Sequence, residues 1–425
     1  MTRRTYPSIN KARARQLFDF REAVHQTLGD HDDTRSDYEM LAVLSGLVGR
    51  RDPQPLVTPA VMPMPAAAPV AVPIGQAGWS ATEDGISIII PTRDEPRLVW
   101  TIRNIVRTIG DDHPPYEIIV VDDGSKPAAA IDDEVKDLCV LSGAPVSMTR
   151  LSGTVGNCYS RHVGIEAAKY ECCLLLDAHM DFDAGWGRQL LDLQHANPNA
   201  VSCAICVHMS EDGEHETFET AKPGRYYGAG VQECQITSNG ERRILQGIWN
   251  RGDTRNAIMA ATNAGQVADT ASTMGGAYVV PRSVYIDKLA GIWQYLRGWG
   301  TSEPTLCLWA HMVGVDVQVW PVEIGHMFRG KSPIPYTTRI VYIAYNQAFL
   351  ARLLMGPGER WKQLVEHLQL HDGWKPHVMA LVAAVNWPAL DAHREAHAVC
   401  DYDDLVSQWI DTAAPKERPT RKGAK

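Results

Sequence analysis

The chain of 425 residues has no run of ~18 uninterrupted apolar residues, which excludes a membrane-spanning hydrophobic helix. Its start, Met1-Thr2-Arg3-Arg4-Thr5-Tyr6-Pro7, is followed by no apolar segment of the kind that directs secretion. The expectation is a cytoplasmic protein with no membrane partner. Positive charge is not in excess: the net charge of −9 gives no global attraction to nucleic acid or anionic lipid. A disulfide framework is also lacking, because the nine cysteines are scattered and Cys172-Cys173 sit side by side in an apolar run. Cys203-Ala204-Ile205-Cys206 has CxxC spacing, but it lies in the strand-like run 200–207 without a second CxxC, so a buried structural role is expected. No Gly-rich phosphate loop occurs between Pro91 and Trp100, which argues against a nucleotidyltransferase. No internal repeat is present.

What the chain does have is a strong change of texture along its length. Residues 1–50 read as a helical segment, with Leu41, Leu44 and Val48 at helical spacing. Residues 51–80 form a Pro/Ala-rich linker, in which Pro53, Pro55, Pro59, Pro63, Pro65, Pro69 and Pro73 remove backbone donors and fix φ. Residues 81–337 carry an α/β pattern with a Rossmann-like parallel sheet: apolar β-branched strands at 86–90 and 117–121 flank a helix at 97–109, and 172–176 is a further buried strand. Helical patterns over 338–411 make a C-terminal helical region, and 412–425 is a basic disordered tail. The stretch 210–273 is polar and Gly-rich, with little periodic signal. The basic residues at both ends are read as solvated termini.

In an open parallel sheet the ligand crevice lies beyond the carboxyl ends of the strands. Thr92 and Arg93 end the first strand, Asp122 and Asp123 the second, and Asp177 and His179 follow the third. That shared location makes them one candidate site. Asp177 and His179 can offer an oxygen and a nitrogen to one cation, with Mn²⁺ suited to a donor set that also accepts diphosphate oxygens. His326 supplies a third ligand from far along the chain, and Arg329 a guanidinium able to neutralise diphosphate. Asp94 and Glu95 can cap the helix that follows them.

With these residues in view, 86–329 resembles the GT-A catalytic domain of the polypeptide N-acetylgalactosaminyltransferases and their family-2 relatives. The resemblance implies a Mn²⁺ or other divalent ion held by Asp177, His179 and His326, the last within Gly325-His326-Met327-Phe328-Arg329, and a UDP-sugar donor. It implies nucleotide or diphosphate contacts from Arg161, Asp122, Asp123, Thr92 and Arg93, close backbone approach to the donor sugar at Gly275-Gly276, and a closing loop at Pro335-Tyr336-Thr337, with Tyr336 over the nucleotide. In place of the family's Trp-Gly-Gly-Glu-Asn this chain has Trp299-Gly300-Thr301-Ser302-Glu303, which leaves Glu303 as the surviving carboxylate. Trp299, Glu303 and Arg329 are the expected catalytic group. The implied function is transfer of a sugar, N-acetylhexosamine favoured, to a hydroxyl on a protein or hydroxymethylated DNA, with retention. The alternatives are an inverting, saccharide-directed family-2 enzyme and a non-catalytic sugar-nucleotide or protein-binding module.

Overall fold

Alternate residues of strand β1 (Ile86–Thr92) enter two different apolar cores. Ile86, Ile88 and Ile90 join one, while Ile89 joins the other. A strand apolar on both faces belongs in the middle of a covered parallel sheet. In the computed structural model β1 lies between β2 (Tyr116–Asp122) and β4 (Cys172–Leu176), parallel to both. Helix α1 (Leu98–Thr108) contributes Leu98, Ile102 and Ile105 to the first core, and α2 (Asn157–Ala167) contributes Cys158 and Ile165 to the second. The structure describes residues 84–126, 135, 145–210, 218, 224–237, 240–328, 340–370 and 373–412. The expected N-terminal helical segment, Pro/Ala-rich linker and basic tail lie outside the described residues, apart from Thr412.

The sheet continues from β2 to β3 (Val146–Arg150), again in parallel. On the other side β11 (Ala277–Pro281) runs antiparallel between β4 and β6 (Ala200–Ser210). Long strand β12 (Asp316–Phe328) lies parallel to β6, and β10 (Ala268–Asp269) edges it, giving the order β10-β12-β6-β11-β4-β1-β2-β3. Two short strands leave this path: β5 (Met180–Phe182) pairs with β12, and β7 (Arg225–Tyr226) with β6. Helix α3 (Trp186–Ala196) follows β5. Cys203 and Cys206 are buried in β6, in agreement with the structural reading of the CxxC.

The poorly periodic stretch after 210 contains more structure than its sequence suggests. A hairpin of β8 (Ala229–Ile236) and β9 (Arg242–Trp249) is joined by β13 (Ile410–Asp411) into a separate three-stranded sheet. It is followed by α4 (Gly252–Asn263). Helix α5 (Ser302–Met312) takes Glu303 into its first turn. The C-terminal helices are α6 (Ile340–Met355), α7 (Arg360–Glu366), α8 (Trp374–Ala383), α9 (Trp387–His397) and α10 (Tyr402–Gln408). Phe349, Leu350 and Leu353 of α6 share an apolar cluster with Leu306 and Trp309 of α5, so this region extends the sheet's core. No helix among the described residues is long and apolar enough to cross a membrane.

Candidate metal and nucleotide site

Asp177 and His179 lie in the turn between β4 and β5, not within one continuous strand, so the turn rather than strand alternation brings them together. His326 reaches them through sheet pairing. In β12 it registers opposite Met180 of β5, the residue after His179, and the Met327 N–H donates to the His179 carbonyl at 3.1 Å. The result is a triad whose potential ligand atoms all lie within 4.8 Å of one another. Nε2 of His179 is 3.1 Å from Nε2 of His326, which in turn is 3.4 Å from Oδ2 of Asp177. Two imidazoles and a carboxylate converging in this way make a donor set suited to a divalent transition-metal ion.

The surroundings fit the same purpose. Nδ1 of His179 lies 3.3 Å from a carboxylate oxygen of Glu95, close enough for charge attraction but without a hydrogen bond. The other oxygen of Glu95 accepts the Arg97 N–H at 3.2 Å just before α1, whose N-cap makes no side-chain cap hydrogen bond. Asp94 instead accepts the Lys126 N–H at 2.7 Å and links the loops after β1 and β2. Gly276, at φ 78°, presses its backbone against the triad: a Cβ there would stand 2.9 Å from both Oδ2 of Asp177 and Cδ2 of His326. Only glycine accommodates both that conformation and that approach.

Behind the triad lies a buried charge network. Arg161 of α2 is 1% exposed, and it donates to Oδ1 of Asp177 at 3.0 Å while lying 3.6 Å from Oε1 of Glu303. Its guanidinium also stacks over Tyr278 at 5.1 Å and Trp293 at 5.5 Å. The resemblance implies a nucleotide or diphosphate contact for Arg161, and the structure places its guanidinium against two carboxylates. Burial works to raise the Asp177 pKa, but the His326 hydrogen bond and the Arg161 charge outweigh it and hold the carboxyl well below its usual range. Burial pushes the Tyr278 phenol well above its usual value. It remains a donor, giving its proton to Glu303 at 2.9 Å while accepting the Gly276 N–H at 3.1 Å. Ser302 bonds the second oxygen of Glu303 at 2.6 Å.

Asp122 and Asp123 end β2 as expected, with both side chains committed to the backbone around them. Asp122 accepts from the Ser125 N–H at 3.0 Å and lies 3.2 Å from Arg150. Asp123 accepts the N–H groups of Val155 and Gly156 at 2.6 and 2.9 Å, and burial raises its pKa to about 6 against those hydrogen bonds. Gly298 pairs with Gly156, and its N–H donates to Val155 at 2.7 Å. Asp123 thereby anchors the loop that carries Trp299, which is 50% exposed. Thr92 is buried with no hydrogen-bond partner for its hydroxyl, and Arg93 is half-buried beside Asp94. Gly275 adopts φ 112° next to Gly276, in the turn before β11. Arg329 and Tyr336 lie outside the described residues. Sequence reasoning misses Tyr278, whose place in an apolar strand reads as core, and the approach of Glu95 to His179.

Residues 87–244 match the model of the family described as Glycosyl transferase family 2. Polypeptide N-acetylgalactosaminyltransferase 6 of Homo sapiens is 27% identical over 246 residues, covering 56% of this chain and 36% of that protein. Putative polypeptide N-acetylgalactosaminyltransferase 13 of Drosophila melanogaster is 24% identical over 264 residues, covering 60% of this chain and 43% of that protein. The chain therefore spans well under half the length of these curated relatives. Among solved structures, that of GalNAc-T7 with UDP, GalNAc and Mn²⁺ superposes with a TM-score of 0.55 at 14% identity, over 78% of this chain and 57% of that one. The chain has a GT-A glycosyltransferase fold that resembles the polypeptide N-acetylgalactosaminyltransferases, with residues 87–244 matching glycosyl transferase family 2.

Proposed function

We propose that this protein is a metal-dependent glycosyltransferase that moves a sugar, N-acetylhexosamine favoured, from a UDP-sugar to a hydroxyl acceptor with retention at the anomeric carbon. The observation that carries the reading is the convergence of Asp177, His179 and His326 beside the Gly275-Gly276 turn. Support comes from the relatives named N-acetylgalactosaminyltransferases and from a fold neighbour solved with UDP, GalNAc and Mn²⁺.

When bound, a divalent ion such as Mn²⁺ supplies positive charge to the departing diphosphate. The chain's own residues do the rest. Asp177, His179 and His326 would hold the ion, with Glu95 close to His179 and Arg161 keeping Asp177 ionised. Arg329 adds a guanidinium to the diphosphate, and Tyr336 closes over the nucleotide. Thr92, Arg93, Asp122 and Asp123 shape the base pocket, the two aspartates through the loops they fix. Gly275 and Gly276 let the backbone approach the donor sugar. Trp299 and Glu303 face the acceptor side. Both oxygens of Glu303 accept hydrogen bonds, from Tyr278 and Ser302, which supports a positioning role for this carboxylate.

The test is mass spectrometry of the protein incubated with Mn²⁺, a panel of UDP-sugars and three acceptor types: peptide, hydroxymethylated DNA and saccharide. A sugar-sized increment on one acceptor is expected. A failure to release UDP from any donor would leave only the non-catalytic reading.

A further inference from the structure

A pocket of about 300 Å³ is lined by Arg225, Tyr226, Trp249, Asn250, Arg251 and Arg255. Two ring contacts connect it to the metal site. Tyr226 lies 5.6 Å from Phe328, and Phe328 lies 4.4 Å from the His326 ring, both between centroids. Trp249 reaches the donor side as well, since a Cβ on Gly275 would stand 3.5 Å from its ring. The pocket wall is thus continuous with the turn assigned above to the donor sugar.

Its described lining is rich in arginine. Arg225 is held by a bidentate ion pair with Glu323. Arg255 lies over the Tyr227 ring at 5.2 Å and donates to the Arg225 carbonyl at 3.5 Å, while Arg251 is exposed. Among the described residues no carboxylate lines the pocket. Guanidinium groups match carboxylates with paired N–H donors, and the Tyr226 and Trp249 rings offer apolar faces with a polar edge.

We infer that this pocket is the acceptor subsite and that it takes an acidic saccharide, with a carboxylate-bearing ring held by Arg251 and Arg255 against Tyr226 and Trp249. The inference rests on the glycosyltransferase reading above and names its acceptor class. In the transfer the acceptor hydroxyl oxygen bonds to the anomeric carbon as the bond from that carbon to the phosphate oxygen breaks. The bonding pair leaves with UDP, and the hydroxyl proton passes to the diphosphate.

Calorimetric titration of the full chain with Mn²⁺ and UDP tests it, using a glucuronic-acid-terminated disaccharide, its glucose-terminated counterpart and an acidic Ser/Thr peptide. The charged disaccharide is expected to bind at least about tenfold tighter than the neutral one. In the double variant Arg251→Gln/Arg255→Gln that preference should shrink to within about twofold, with UDP affinity and melting temperature unchanged. Equal binding of the two disaccharides, binding of neither, tighter binding of the peptide, or a preference that survives the double variant would overturn the assignment. UDP binding is read in the same titration, so a protein that prefers the charged disaccharide without binding UDP would sink the glycosyltransferase reading instead.

Discussion

Tyr278 shows how much of the site depends on single buried groups. Its hydroxyl accepts the Gly276 N–H and donates to Glu303, so one oxygen ties the Gly275-Gly276 turn to Glu303. Tyr278→Phe keeps the ring under Arg161 and removes only that oxygen. The Gly276 N–H is then buried without a partner, at a cost of about 1–3 kcal/mol. Loss of alignment should lower kcat by about 100-fold while leaving Mn²⁺-dependent UDP affinity near that of the parent. Steady-state kinetics beside UDP titration separates these quantities, and an unchanged kcat would remove Tyr278 from the positioning network. Asp177 and His179 are legible in the sequence as polar residues closing an apolar strand, whereas His326 and Arg161 come from the motif resemblance. Tyr278 is not legible, because it sits among residues that read as core and its partners come from other elements.

Helix α6 braces the Trp299 loop, which gives the C-terminal helical region a role in the site. Asn346 is fully buried, donates to the carbonyls of Arg297 and Gly300 at 2.8 and 2.9 Å, and accepts the Arg297 N–H at 2.9 Å. The loop needs such support, since Gly298, Gly300 and Thr301 all take positive φ. Asn346→Ala should destabilise the protein by about 1–3 kcal/mol and raise KM for the acceptor more than for the donor, as read by thermal melting and two-substrate kinetics. Equal effects on both KM values would detach α6 from the acceptor side. Within the same region Arg352 binds Asp391 through two hydrogen bonds, at 3.0 and 2.7 Å. Burial works to raise the Asp391 pKa, but Arg352, joined by Arg394, outweighs it and holds the carboxyl below its usual value. A depressed carboxyl stabilises the fold above the ordinary value near ~3.9 and loses that contribution as pH falls through its folded value. Asp391→Asn should therefore cost about 1.5–3 kcal/mol at pH 7, with the difference from the parent shrinking below pH ~4. Denaturant titrations across that range check it; a gap independent of pH would mean the ion pair is not its source. The strands 86–92, 116–122 and 172–176 are legible because each is apolar on both faces, and the hairpin 229–249 is not, because its strands are half-buried and mixed in polarity.

At the scale of the whole molecule, residues far apart in sequence form one site because the sheet order folds β12 back between β5 and β6. That pairing cannot be read from the chain: nothing local in 316–328 says which strand it will join, and the link between His326 and the Asp177–His179 turn comes from the motif resemblance alone. The central claim is that this closure creates a divalent-ion site for a UDP-linked donor. The most direct measurement is calorimetric titration of UDP into the full chain with Mn²⁺, with EDTA, and into His326→Ala with Mn²⁺. UDP should bind with Mn²⁺ and weaken by at least about tenfold both on chelation and in the variant, whose melting temperature without metal stays close to that of the parent. UDP affinity that is indifferent to EDTA and to the loss of His326 would contradict the account.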